Sequence, residues 1–134
     1  MKRETLAEAI ELAEKLRYFF INTADAAGLP HAAVAAEMLC GPAGCVLVRG
    51  WFCPGTVKNL RDNPQVSLVV WDPKSDRGHQ LVGTVQDVVD CAVLDGYSPR
   101  METAEPMPQV ERELVVRVES ILRFTHAPHT DVEE

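Results

Sequence analysis

A chain of 134 residues with 13 basic and 20 acidic side chains carries a formal net charge of -7. Such a surface repels a phosphate backbone and puts nucleic-acid binding low among its possible functions. With 46% hydrophobic and 25% charged residues, the composition is that of an ordinary globular domain that needs no metal or disulfide staple, which excludes wholesale disorder. The length fits one domain spanning residues 1–134. The basic start Met1-Lys2-Arg3 is followed by Glu4 and Glu8 rather than by an apolar stretch, so no export signal is read, and no run reaches membrane-spanning length. The expectation is a cytoplasmic protein whose cysteines, Cys40, Cys45, Cys53 and Cys91, are free thiols. No Cys-x-x-Cys pair suggests zinc.

Taken in chain order, Thr5-Leu6-Ala7-Glu8 reads as a capping box, and Leu6, Ala9, Ile10, Ala13 and Leu16 recur at helical spacing, predicting a helix from Thr5 to Leu16. Tyr18–Thr23 is apolar and aromatic and predicts a strand. After the turn Asp25-Ala26-Ala27-Gly28, Pro30–Leu39 reads as a second strand whose alanines suggest close approach of something bulky. Gly41-Pro42-Ala43-Gly44 is a hairpin turn leading to a third strand, Cys45–Arg49. A short helix, Val57–Arg61, follows Pro54-Gly55-Thr56 and is stopped by Asn63-Pro64. The apolar run Val66–Trp71 predicts a strand covered on both faces. Then come a polar loop from Asp72 to Gly78, a long strand from His79 to Val89, a Pro- and Met-rich connection from Asp95 to Pro108, a last strand from Leu114 to Phe124, and a loose tail over residues 126–134. Six strands, short turns and two helices describe a mainly β protein, a small antiparallel barrel with helical plugs.

The stretch from Arg49 to Pro64 is the most informative chemically. A glycine and a hydroxyl at a helix start, with Lys58 and Arg61 on the helix, make an anion site from backbone N–H groups, the helix dipole and added positive charge. The same residues are equally a capped helix with solvated bases. Cys53 stands beside this turn, where a helix N-terminus favours a thiolate. The pair His126 and His129 has metal-ligand chemistry near a chain end.

Lys58-Asn59-Leu60-Arg61-Asp62-Asn63-Pro64-Gln65-Val66-Ser67-Leu68, followed by Trp71-Asp72-Pro73, resembles a segment of the pyridoxamine 5'-phosphate oxidase-like family of FMN-binding split barrels. Gly28-Leu29-Pro30-His31 and Arg77-Gly78-His79-Gln80-Leu81-Val82-Gly83-Thr84 resemble two further segments of that family, so the resemblance runs from about Tyr18 to Phe124. It implies a six-stranded split barrel and a homodimer with one FMN in each of two interface clefts. The family's phosphate contacts fall here near Ala33, Val34 and Ala35, on Arg49 and Gly50, and on the segment from Pro54 through Gly55, Thr56 and Lys58 to Asn59. Gln80 matches a family glutamine beside the isoalloxazine ring. Trp51 and Phe52 could wall that ring or pack a dimer interface. Pro54-Gly55-Thr56 stands where the family has Ser-Arg-Lys, and alanines stand where its oxidases have basic residues. Those departures shift the phosphate onto Thr56, the amides behind it, Lys58 and Arg49, and argue against pyridoxamine phosphate as substrate. The implied function is an FMN-dependent oxidoreductase or electron carrier, with a deazaflavin coenzyme as a possible replacement for FMN. A flavin- or haem-binding module without turnover, and a cofactor-free barrel acting as an interaction domain, are the alternatives.

Overall fold

The computed structural model describes residues 2–51, 53–94, 109–128 and 132–134. In chain order the elements are α1 (Arg3–Leu16), β1 (Phe19–Ala24), β2 (Pro30–Ala35), β3 (Glu37–Cys40), β4 (Cys45–Arg49), α2 (Pro54–Asp62), β5 (Gln65–Asp72), β6 (Arg77–Leu94) and β7 (Gln109–Arg123). Helix α1 starts two residues before the predicted capping box. Its N-cap is Lys2, which makes no side-chain cap. Thr5 therefore sits inside the helix and is buried with Leu6, Ala9, Leu12 and Ala13. Helical spacing, not a cap, sets this helix against the barrel.

The strands form one antiparallel sheet in the order β2-β1-β5-β6-β7-β4-β3. The predicted second strand, Pro30–Leu39, is here two strands, giving seven instead of six. It breaks at Ala36, so that β2 pairs with β1 while β3 pairs with β4. Consecutive strands thus lie at opposite edges of one sheet with a single residue between them. The sheet must curl until those edges meet, which is what makes it a barrel. The Ala36 amide donates to the Gly50 carbonyl across the corner (3.2 Å). Gly50 has φ +74, and a Cβ there would lie 2.8 Å from the Ala36 Cβ. The small residues at this corner are therefore explained by close approach of the chain to itself.

Inward residues recur with period two. Phe19 and Ile21, Val46 and Val48, Leu68 and Val70, Leu81, Leu114 and Val116 are all fully buried. Along β5, Val66, Leu68 and Val70 are buried whereas Ser67, Val69 and Trp71 are only half-buried. The apolar run predicted to be covered on both faces is fully covered on one. The same alternation separates Cys40 from Cys45. Cys40 pairs with Val46 and shares its face, so Cys45, the residue before Val46, points the other way. Cys40, Cys45 and Cys53 are free thiols, and the Cys91 side chain lies outside the described residues. Among the described residues no helix is long and apolar enough to cross a membrane.

Asp76 ties the β5–β6 turn to the segment after β7. Its carboxylate accepts hydrogen bonds from the Trp71 indole N–H (3.0 Å) and from the amides of His126 (2.7 Å) and Ala127 (3.0 Å). Chiefly through the His126 amide and then the indole, its pKa is held below the ordinary 3.8. A carboxyl depressed by folding contributes stability above its unfolded value, and this is lost as pH falls through the folded one. Acidification below pH 3.8 should therefore release residues 126 and 127 from the turn, read as faster exchange of those two amides together with a change in tryptophan emission. Asp76→Ala should already show both at neutral pH. An acid transition of unchanged amplitude in that variant would assign it to another group.

Candidate functional site

Two surfaces, on opposite faces of the β1–β2 pair, gather most of the predicted residues. The first is the outer face of β2, β1, β5 and β6. Register places Val34 beside Phe20, Phe20 beside Val69, and Val69 beside Gln80. Val34, Phe20 and Tyr18 are 53%, 42% and 41% exposed, large values for apolar side chains. Within this patch the Gln80 Nε2 donates to the Ser67 hydroxyl (2.8 Å), and the Asn22 side-chain amide donates to the Ser67 carbonyl (3.2 Å). The Gln80 amide is therefore fixed at one end, with its carbonyl oxygen left to accept from a ligand. A flat apolar surface with a few convergent polar groups is what a planar ring system needs.

The second surface is the start of α2. Cys53 is the N-cap and Pro54 has no N–H to offer. The Thr56 and Val57 amides both turn back to the Cys53 carbonyl, at 3.1 and 3.4 Å. The expected nest of several free amides is thus reduced to one open donor, the Gly55 N–H. His31, which faces Thr23 across the β1–β2 ladder, stands against Gly55. A Cβ at residue 55 would lie 3.1 Å from its Nε2. Lys58 is exposed on the same helix. The Gly55 amide and the His31 ring thus adjoin, and Lys58 follows three residues later on the helix. His31 was not among the residues inferred from sequence as cofactor contacts. Its position comes from strand register and from the packing of α2 on β1 and β2, which no local motif encodes.

Other predicted residues are committed elsewhere. Ala33 points into the core, whereas Val34 points out. The Trp51 ring is fully buried, its indole N–H without a hydrogen-bond partner, so it walls the core and not an open cleft. The Asn59 Nδ2 donates to the Thr23 hydroxyl (3.1 Å) and braces α2 on β1. Arg49 is ion-paired with Glu113. Cys53 is half-buried and packs on the core. Phe52 and His129 lie outside the described residues. Among the described residues no group of three or more His, Cys, Asp or Glu side chains is placed to hold a metal. Sizeable concavities lie elsewhere: about 620 Å³ between α1 and the β5–β6 turn, lined by Glu8, Glu11, Glu14, Lys15 and Arg77, and about 600 Å³ between α1 and β3. Neither contains a predicted cofactor residue.

Thr56 was expected to be partly exposed and to offer its hydroxyl to a phosphate. It is fully buried, and its Oγ1 has no hydrogen-bond partner. A buried, unpaired hydroxyl costs desolvation free energy that a methyl does not. Thr56→Val should therefore raise folding stability by up to about 1 kcal/mol in urea denaturation and leave ligand affinity within about twofold. A large loss of FMN affinity in this variant would restore the hydroxyl to the ligand.

The sequence matches no family model and no curated protein. Solved structures do match. A Clostridium acetobutylicum protein related to general stress protein 26 of B. subtilis, of the pyridoxinephosphate oxidase family, is 17% identical with a TM-score of 0.63, covering 94% of this chain and 92% of that one. A pyridoxamine 5'-phosphate oxidase-related, FMN-binding protein from Nostoc punctiforme is 12% identical with a TM-score of 0.63, covering 92% and 84%. An F420 reductase is 19% identical with a TM-score of 0.57, covering 83% and 93%. This chain has the split-barrel fold. In this split barrel, Ser67 and Gln80 of the outer face, His31 and Lys58 come from the segments whose motifs carried the resemblance, and the Pro54-Gly55-Thr56 turn at the start of α2 is where the chain departs from them.

Proposed function

We propose that the protein is a flavoprotein: a homodimer that binds FMN on the outer face of β2-β1-β5-β6 and acts as an oxidoreductase or electron carrier. The observation that carries this reading is the Gln80–Ser67 pair set within the exposed apolar surface of Val34, Phe20 and Val69. The FMN-binding protein and the F420 reductase among the split-barrel neighbours support it. The residues fit the group: Val34, Phe20 and Val69 offer a platform for the ring, and Gln80 a hydrogen bond to its polar edge. On the other face of the edge strand β2 the Gly55 amide, His31 and Lys58 would receive the phosphate, the chain between ring and phosphate passing over that edge, and a side chain at residue 55 would fill the place. When bound, the flavin supplies electron or hydride transfer. What these residues do is hold it, exclude water from one ring face and keep the Gln80 amide oriented. The open shape of the surface calls for a second wall, and a second protomer supplies it.

Titration of the purified protein with FMN should give a saturable shift of the flavin absorbance with one site per protomer, and Gln80→Ala should weaken it. A parallel titration with a deazaflavin coenzyme tests the occupant suggested by the F420 reductase. If neither binds at micromolar concentration, the flavoprotein reading fails.

A further inference from the structure

Within the stretch read from sequence as a loose tail, two pieces are bonded to the barrel. Asp76 holds the amides of residues 126 and 127, and residues 132–134 lie antiparallel along β7. The Arg123 amide donates to the Val132 carbonyl and the Glu134 amide to the Ile121 carbonyl, each at 2.8 Å. Strand β4 pairs with β7 only from Leu114 to Arg117. The strap formed by residues 132–134 therefore takes an edge of β7 that β4 leaves open. Two backbone bonds hold so short a strand weakly, so its docking depends on what its side chains meet.

What the strap meets is a buried histidine. His79 is 6% exposed and by alternation shares the inward face with Leu81. Its Nδ1 has no hydrogen-bond partner. The Glu134 Oε1 lies 3.4 Å from that nitrogen, and the Glu134 side chain is 19% exposed. Water screens such a pair less than it screens a surface ion pair.

His79 adjoins a hollow of about 200 Å³ that also gathers Glu8 of α1, Asp76 and Arg77 of the β5–β6 turn, and Arg123 and Thr125 at the end of β7. On β5 its neighbour is the apolar Val70. Asp76 is spent on the Trp71 indole and the two amides. Glu8 and Glu134 favour a charged ring, whereas Arg77 and Arg123 oppose it. Glu134 is the group placed within ion-pair distance of Nδ1.

A neutral imidazole carries one N–H, and an imidazolium carries two. With Nδ1 bare, a lone pair faces the Glu134 carboxylate. With the ring charged, Nδ1 must carry a proton toward Oε1, and the contact becomes a charge-assisted pair. The charged ring thus holds the strap better than the neutral ring. By linkage, docking tightens as pH falls through the range where imidazoles titrate and loosens as pH rises through it. The release of residues 126 and 127 by Asp76 has the opposite sign and lies below pH 3.8.

We propose that residues 132–134 are a proton-gated strap, latched onto β7 by the pair of His79 and Glu134. Docking also reaches the outer face. Glu133 stands opposite Leu122, and Leu122 opposite Gln80, so the docked strap sets a carboxylate in the row of Gln80. The bearing of that carboxylate on a ligand rests on the flavin reading; the latch does not.

The test is amide hydrogen exchange of the full chain without added ligand, at about pH 5.5 and about pH 8, each rate divided by its intrinsic value. The Arg123 and Glu134 amides read the strap, and the Phe124 amide, bonded to the Gly78 carbonyl on the β6 side, is the control. Protection of the first two should be about three- to tenfold higher at the lower pH, and that of Phe124 unchanged. Because His79 lies in the core, the carboxylate is the group to change. Glu134→Gln should keep its circular dichroism and lose the pH dependence, and Glu8→Gln should retain it. Equal protection at the two pH values in the parent overturns the latch. So does a pH dependence that survives in Glu134→Gln, and its loss in Glu8→Gln would assign the partner of His79 to α1 instead of the strap.

Discussion

Replacing Gly83 with alanine should lower folding stability by about 3 kcal/mol or more, at the upper end of overpacking costs. Gly83 lies at a register shift between β6 and β7, where Gly83 pairs with Val118 while Val82 pairs with Ser120. A Cβ there would run into the Arg117 carbonyl oxygen, and would lie 2.9 Å from its carbonyl carbon and 3.1 Å from the Val118 Cα. The obstacles are backbone atoms held in the central ladder, so no side-chain rotation relieves the clash. Gly28→Ala is the control. It has nothing within 4 Å of the added Cβ and suffers only from its φ of +88, a strain of about 1–2 kcal/mol. Urea midpoints measured on both variants should rank them in that order. A Gly83 variant no less stable than the Gly28 variant would mean that β6 and β7 cross differently.

Removing either the His31 or the Lys58 side chain beside the start of α2 should weaken FMN by about 1–2 kcal/mol, roughly five- to thirtyfold in Kd. His31→Ala and Lys58→Ala are the informative changes, because the Thr56 and Val57 amides are already spent on the Cys53 carbonyl and only the Gly55 N–H remains open. Lys58→Ala should also flatten the salt dependence of binding, since it removes an exposed charge. Both residues are exposed, so neither change should alter the melting temperature appreciably. Fluorescence titration of each variant at two ionic strengths measures these effects. Parent-like binding in both would move the phosphate to Arg49, and Arg49→Ala would then show the loss.

The resemblance carried by the Lys58–Leu68 and Arg77–Thr84 segments led to the split barrel and to Gln80, and the structure bears out the fold. The strand count failed at Ala36. Nothing local in Pro30–Leu39 signals a change of partner, because both halves remain extended; the break is visible only once β2 and β3 are assigned to opposite edges. The capping box failed for a related reason. Thr5 and Glu8 have the right spacing, yet burial of the Leu6, Ala9, Leu12 and Ala13 stripe is served equally by a helix that begins two residues earlier.

The site was legible in part. Val34, Gly55, Lys58 and Gln80 are placed where a ligand could reach them. Ala33, Trp51 and Thr56 were named from the same motifs and turn inward.

Composition, periodicity and motif order by themselves determined that this chain folds as a β barrel with two helices, and they single out α2 and the β5–β6 strands as the candidate site. Those properties depend on neighbours a few residues apart: alternation, helical spacing and turn residues. The tertiary structure alone decided that His31 meets Gly55, that Arg49 is taken by Glu113, and that the amides of α2 are mostly spent. Each of these depends on contacts between segments distant in sequence or on backbone bonds made only once the chain is folded, and side-chain identity at one position does not encode which partner will stand opposite it.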